Sequence, residues 1–230
     1  MGLYLYCFLP PSHAPGTGLA SVAAGPISRV SLPWIDVWFE ETETVPRAEF
    51  EAIRRHDAVV RSAWSTASAC LPVRFGQWLP DRGALEERLE ERRAELERAL
   101  TRVTGAGEHG IRISEKVRPA ATGAQERASE APPPPGRAYL ERARARVRAQ
   151  EAHARAAAAL GAELEEALGD AIRAQRVETL PPEKGIASVA HLVGRDREPE
   201  YRERVRAFAE GHVELEMVET GPWPPYSFSP

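Results

Sequence analysis

What this chain lacks narrows it first. Its 230 residues include two cysteines, Cys7 and Cys70, without C-x-x-C spacing. Both sit in apolar stretches and read as small buried hydrophobes in a reducing cytoplasm. A disulfide between them stays open, but nothing demands one. No apolar run approaches the roughly 20 residues that cross a bilayer. The apolar Leu3–Leu9 has no basic segment ahead of it, so it is expected to be a buried first strand rather than a signal peptide. A dominant charge is missing too: 30 Lys plus Arg face 34 Asp plus Glu, a net charge of −4. No whole-chain basic field draws nucleic acid or an anionic membrane, and neither is an expected partner. Only Arg137–Arg155 offers a basic stripe, diluted by Glu and Ala.

Motifs of catalysis are equally scarce. The six histidines show no H-x-x-x-H or H-E-x-x-H spacing, and neither G-x-S-x-G nor a Walker A loop occurs. Gly105–Gly110 formally matches G-x-G-x-x-G, yet a helix is expected before it and a strand after it. That order is the reverse of the one that aims a helix N-terminus at phosphate, so a helix-stopping glycine followed by a turn is expected. The adjacent His56 and Asp57 would point about 100° apart on a helix and so do not make a base with its orienting carboxylate. No catalytic residue, cofactor or metal ligand is assigned, and the chain is not read as an enzyme.

What is present is the composition of a globular protein, 43% hydrophobic and 28% charged, long enough for one large domain or two small ones. Pro119–Arg137, with Pro132-Pro133-Pro134-Pro135-Gly136, reads as a linker or loop because it can bury little. The expected division is an N-terminal unit over 1–118, a Pro-rich linker or loop over 119–136, a C-terminal helical and α+β unit over 137–220, and a tail over 221–230. In the first unit, β-formers predict strands at Leu3–Leu9 and Trp34–Phe39, a short one near Ile27–Leu32, and another at Leu71–Trp78. A helical region over Pro46–Ala69 is expected to break near His56-Asp57. Asp81 is expected to cap a helix running to Val103, in which Leu85, Leu89, Leu96, Leu100 and Val103 fall within about 60° of one another. Arg92 projects onto that stripe, either as a snorkelling stem or toward a carboxylate. Ile111, Ile113 and Val117 are expected to alternate in a strand closing this unit.

The second unit opens with an Ala/Arg/Glu pattern over Arg137–Arg176, roughly 60 Å if straight. A bend is expected at Gly161 or in the Ala run before it, and a helix partner is required. Strands are expected at Arg176–Leu180, Ile186–Val193 and Val213–Met217, with a helix over Glu200–Glu210. The fold class is therefore α+β, with helix–strand–strand–helix–strand in the second half fitting a ferredoxin-like sheet.

The tail Gly221–Pro230 carries Trp223, Tyr226 and Phe228 on a proline-stiffened backbone. Prolines lower the entropy cost of ordering it, and each ring brings roughly 1.5–3 kcal/mol of apolar area to bury. It is either a strap on its own protein or a handle for another. The strap is favoured, with Arg74 as its partner through cation–π or backbone contacts. The P-x-x-P match in Pro222–Pro225 is short and common in a chain with 20 prolines.

Three blocks carry a resemblance. His56-Asp57-Ala58-Val59-Val60 followed by Leu71-Pro72-Val73-Arg74-Phe75-Gly76, the terminal Gly221-Pro222-Trp223-Pro224-Pro225-Tyr226-Ser227-Phe228, and the opening Leu3-Tyr4-Leu5-Tyr6 are similar to the gas vesicle GvpF/GvpL proteins. The order is kept along nearly the whole chain. The departures are the Pro/Gly-rich stretch before Trp34 and Glu108-His109-Gly110. The resemblance implies an N-terminal ferredoxin-like α+β unit and a C-terminal unit of long helices plus a small sheet. It also implies a non-enzymatic accessory or minor structural protein, located in the cytoplasm and on the gas vesicle. Its implied partners are the major gas vesicle shell protein and other gas vesicle accessory proteins. Arg74, Phe75, Trp78, Trp223, Pro225, Tyr226 and Phe228 are the candidate interface or tail-docking residues; exposed parts of Trp34 and Trp38 are further candidates. The alternative is a general peptide- or ligand-binding ferredoxin-like module unrelated to vesicles.

Overall fold

Dense β-formers at the start of the chain make β1 (Gly2–Leu9), buried on both faces as only a central strand can be. β2 (Ile27–Leu32) and β3 (Ile35–Thr42) form a hairpin, and β3 lies antiparallel to β1. A bulge between Leu5 and Cys7 shifts the register, so Tyr6 and Cys7 both join the cluster beneath α1 (Phe50–Thr66). The other edge of β1 pairs with two very short strands, β4 (Leu71–Pro72) and β5 (Trp78–Leu79). The first sheet thus runs β2-β3-β1-β4, with β5 beside the other end of β1. The structure, a computed structural model, describes residues 1–16, 18–116 and 135–230, with 135–138 as backbone alone.

Helices α2 (Arg82–Glu91) and α3 (Arg93–Val103) cover the opposite face from α1. The second sheet combines β6 (Ala106–Glu115), β7 (Ala174–Thr179), β8 (Ala187–Gly194) and β9 (Leu215–Trp223) in the antiparallel order β7-β8-β6-β9. Its far face is packed by α4 (Pro135–Leu168) and α5 (Glu198–Gly211), through Leu164, Leu168, Tyr201, Val205 and Phe208. Its near face, through Ala106 and Leu192, shares one core with the first sheet and α2–α3.

Several expectations are corrected by the fold. The single strand over Leu71–Trp78 is two short bridges, because Pro72 has no N–H to donate and Gly76, at φ +92°, turns the chain. Residues 73–77 therefore loop out from the sheet edge, held by Val73 N to Tyr6 O at 2.9 Å and Leu5 N to Gln77 O at 3.0 Å. The helix over Asp81–Val103 is two helices, interrupted at Arg92 (φ −104°, ψ 10°), while Asp81 does accept from Ala84 N at 2.8 Å. α1 is unbroken at His56, which faces inward with Val59, Val60 and Ala63. α4 is continuous through Gly161 and ends at Leu168, short of Arg176. Gly161 is a close-approach position, since a Cβ there would meet Val177 Cγ2 at 2.6 Å.

β6 does not close the first sheet. It is an inner strand of the second, and strand pairing crosses from residues before 118 to residues after 137. Gly105 stops α3 at φ +64° as expected, but no turn follows. β6 begins at once, and Gly107 and Gly110 lie inside it; Cβ atoms there would meet Trp64 at 3.0 Å and Thr220 Oγ1 at 2.8 Å. β9 starts at Leu215, leaving Val213 exposed, and runs on into the expected tail. The stretch 119–136, expected as a linker, lies almost wholly outside the described residues, as does Val117.

Candidate functional site

β9 pairs with β6 as far as Trp223 opposite Glu108, which delivers the last seven residues to the seam between the two sheets. There Pro224 and Pro225 are buried, and residues Tyr226–Phe228 make one 3-10 turn, with Phe228 N donating to Pro225 O at 3.1 Å. Phe228, 1% exposed, enters the shared core. Its carbonyl accepts from Arg102 Nη2 at 2.6 Å. Ser227 donates its N–H and its hydroxyl to the two oxygens of Glu108, each at 2.7 Å. Burial raises the Glu108 carboxyl above its ordinary value, while those two bonds and the attraction of Arg176 oppose the shift.

The tail's cations differ from the one expected. Arg61 lies 4.1 Å from the Trp223 ring centroid and is itself held by Asp57, Nε to Oδ2 at 2.5 Å. Arg176 stands 6.0 Å from the Phe228 ring. Arg74 instead extends from the looped-out 73–77 segment beside Tyr226, on the wall between two depressions. The missed signal is helical spacing: Asp57 and Arg61 form an i,i+4 pair on α1, and Trp223 falls over it.

One depression is an apolar-walled cavity of about 320 Å³ between the first sheet and α2–α3. Leu5, Phe8, Leu79, Leu85, Leu89 and Leu96 form its walls, and Arg74, Arg88, Arg92 and Tyr226 also line it. Arg92, read from sequence as lying on the leucine stripe, sits at the break between helices and donates to Glu95 at 2.9 Å. The second depression is shallow and mostly apolar, bounded by Phe50, Ile53, His56, Phe75 and Tyr226, with Arg54, Asp57 and Arg74 at its edge. Phe50 is 83% exposed and Ile53 45%. Their i,i+3 spacing looks like core in the sequence; only the placement of α1 reveals them as surface.

Of the remaining candidates, Phe75 is half-buried against Tyr4 and His56, its ring centroid 5.7 Å from each. Trp78 is half-buried against Gly2, where even a Cβ would collide with its ring. Trp38 is core, its indole N–H bonded to His13 O at 2.8 Å, and Trp34 is half-buried near Arg93. The structure therefore gathers Arg74, Phe75 and Tyr226 into one surface. It places Pro225 and Phe228 inside the body behind that surface, and leaves Trp78 and Trp223 to its sides.

His56 is a structural residue here. Nε2 meets the Val73 carbonyl at 2.8 Å, so it carries the proton, and Nδ1 accepts from the Tyr4 hydroxyl at 2.8 Å. Burial lowers its pKa. His191 is similarly enclosed between Tyr201 and Gln175, its pKa pushed down to about 3 by burial and by the nearby His109. Among the described residues no group of three or more His, Cys, Asp or Glu could hold a metal ion. No helix among them is long and apolar enough to cross a membrane.

Comparison with known proteins decides what such a surface belongs to. The sequence model of the family described as gas vesicle synthesis protein GvpL/GvpF matches residues 2–230. The chain belongs to that family. It is 32% identical over 186 residues to gas vesicle protein L of Streptomyces sp. (strain CB03234), covering 78% of this chain and 69% of the relative. Its fold is that of GvpF from Anabaena sp. PCC7120, with a TM-score of 0.74 at 14% identity over 100% of this chain and 98% of that one. GvpF from Microcystis aeruginosa aligns with a TM-score of 0.71 at 16% identity, covering 99% and 98%. The GvpL/GvpF proteins are not known as enzymes. The two sheets and five helices described above are this family's α+β fold.

Proposed function

We propose that this chain serves gas vesicle assembly as a binding protein, contacting the small apolar shell subunit and other vesicle accessory proteins. It would act in the cytoplasm and on the growing vesicle. The observation that carries the reading is the apolar surface of exposed Phe50 and Ile53 beside half-buried Phe75 and Tyr226, braced by a tail anchored through buried Pro224, Pro225 and Phe228. Contiguous exposed apolar area on a soluble domain marks an interaction site. An apolar subunit that must stay unaggregated before it polymerises needs such cover. Rigid rings held by a proline-rich strap lose little entropy on contact.

In this reading the unit over 137–220, together with β6, is ferredoxin-like, because β6-α4-β7-β8-α5-β9 has the β-α-β-β-α-β order of that motif. The first unit, within 1–118, has the same strand arrangement, with no helix among the described residues between β1 and β2. The tail is a strap, and Arg74, Phe75 and Tyr226 are interface residues.

The test is co-purification of the shell subunit from cells forming vesicles. The wild type should retain it, and Phe50→Ser/Ile53→Ser should lose most of it while melting normally. Equal retention by that variant would remove the apolar surface from the account. Wild-type protein that captures no shell subunit would remove the function.

A further inference from the structure

The chain pairs its arginines with care around α2 and α3. Arg82 bonds Glu86, Arg92 bonds Glu95, Arg93 reaches Glu90 and Glu97, and Arg98 bonds the Ala94 carbonyl. Two guanidiniums are exceptions. Arg88 on α2 and Arg74 on the looped-out segment have no carboxylate or carbonyl partner among the described residues, and both line the 320 Å³ cavity. An acidic neighbour within helical reach of Arg88 was available at Glu91, three residues on, so its free state is not a shortage of partners.

We infer that this cavity is a docking pocket for a partner protein segment that places an apolar side chain next to a carboxylate. It rests on the assembly reading given above and names the contact within it. The apolar walls suit an aliphatic or aromatic group. A volume of about 320 Å³ lies at the small end of the roughly 300–1,000 Å³ of ligand pockets, enough for one or two side chains. The two guanidiniums present forked donors that match a carboxylate in two-point geometry, whereas a basic or neutral segment would leave both unpaired. Charge complementarity therefore selects an acidic partner segment. Tyr226 and Arg74 border both this pocket and the exposed apolar surface, so one partner can occupy the two together. The strap forms the shared wall, which gives its rigid docking a purpose beyond stability.

The experiment uses the full chain and the shell subunit produced together, with capture of the subunit measured for four proteins. Arg74→Glu/Arg88→Glu should retain about tenfold less than wild type, since it turns two attractions into repulsions. Arg74→Lys/Arg88→Lys should recover part of that loss, keeping charge without the fork. Arg206→Glu, an exposed arginine on α5 behind the second sheet, should bind as wild type does. All four should melt within a few degrees of one another, because none of the substituted side chains is buried. Undiminished capture by Arg74→Glu/Arg88→Glu, with wild-type capture intact, overturns the pocket and spares the assembly reading. Equal loss in Arg206→Glu overturns it too, by showing a bulk charge effect. Capture absent in the wild type overturns both. Sodium decanoate, added as a free apolar carboxylate, should compete only at high millimolar concentration. Saturable binding of decanoate at micromolar concentration would assign the pocket to a small amphiphile instead.

Discussion

Replacing Phe228 by Ala asks directly whether the end of the chain belongs to the core. The ring is 1% exposed and packed where the two sheets share one cluster, so its removal leaves a cavity that neighbouring β-strands cannot readily close. Buried Phe→Ala changes cost about 3–5 kcal/mol, against a total of roughly 5–15 kcal/mol. For a chain of this size each kcal/mol is about 2–4 °C of melting temperature, giving a loss of roughly 6–20 °C. Two companion variants fix the scale. Ser227→Ala removes two-point support from a half-buried carboxylate by deleting one of its bonds, at about 1–3 kcal/mol. Trp223→Ala, 37% exposed and stacked on Arg61, should cost about 1 kcal/mol. Urea unfolding followed by tryptophan emission and by circular dichroism measures all three. A Phe228→Ala loss under about 1 kcal/mol, or an order with Trp223→Ala largest, would refute the strap.

Gly161→Ala sets a Cβ 2.6 Å from a β-branched Val177, and should destabilise by about 1–2 kcal/mol despite the helix propensity gained; adding Val177→Ala should restore most of it, as read by urea midpoints. Tyr4→Phe strips from His56 Nδ1 its only donor among the described residues and should cost about 1–3 kcal/mol by urea unfolding; an unchanged midpoint would contradict this. Acid should destabilise the chain from about pH 6.5 downward, because the unfolded state then takes protons that the buried His191, His56 and His109 refuse. For His191 the window extends to about pH 3 at up to about 1.4 kcal/mol per pH unit. Glu108, with a raised pKa, has the opposite sign: its contribution is present below its ordinary value and is lost as pH rises through its folded pKa, so it partly offsets the histidines. Urea midpoints that stay level from pH 7 to 5 would contradict this.

Much of the architecture was legible because it is written as local periodicity. The leucine stripe from Leu85 to Val103, the β-formers of β1, and β8 all landed where their patterns put them. The glycine stop at Gly105 was legible from its backbone chemistry alone. What sequence reasoning missed depends on partners distant along the chain. Nothing around Ile111 tells which sheet β6 joins, since an inner strand looks the same in either. Arg92, read as a snorkelling stem or as reaching a carboxylate, does meet Glu95, but it gave no sign of the helix break because the stripe continues in phase across it. Gly161 looked like a bend because its neighbour Val177 is 16 positions away.

The site divides the same way. Arg74 and Phe75 stand in the block that carries the family resemblance and Tyr226 in the aromatic tail, and the three line one depression. Phe50 and Ile53 were missed, because an apolar pair at helical spacing carries no mark of which way the helix faces. Arg61 was passed over because its ring partner comes 162 residues later, on a strand whose register only tertiary pairing sets.

The most direct measurement places a photo-reactive p-benzoylphenylalanine at position 50, 74 or 206 in cells forming vesicles, and identifies what each position captures. Covalent adducts with the shell subunit at 50 and 74, and none at 206, are the predicted result. Adducts at 206 alone, or at none of the three while vesicles still form, would contradict the account.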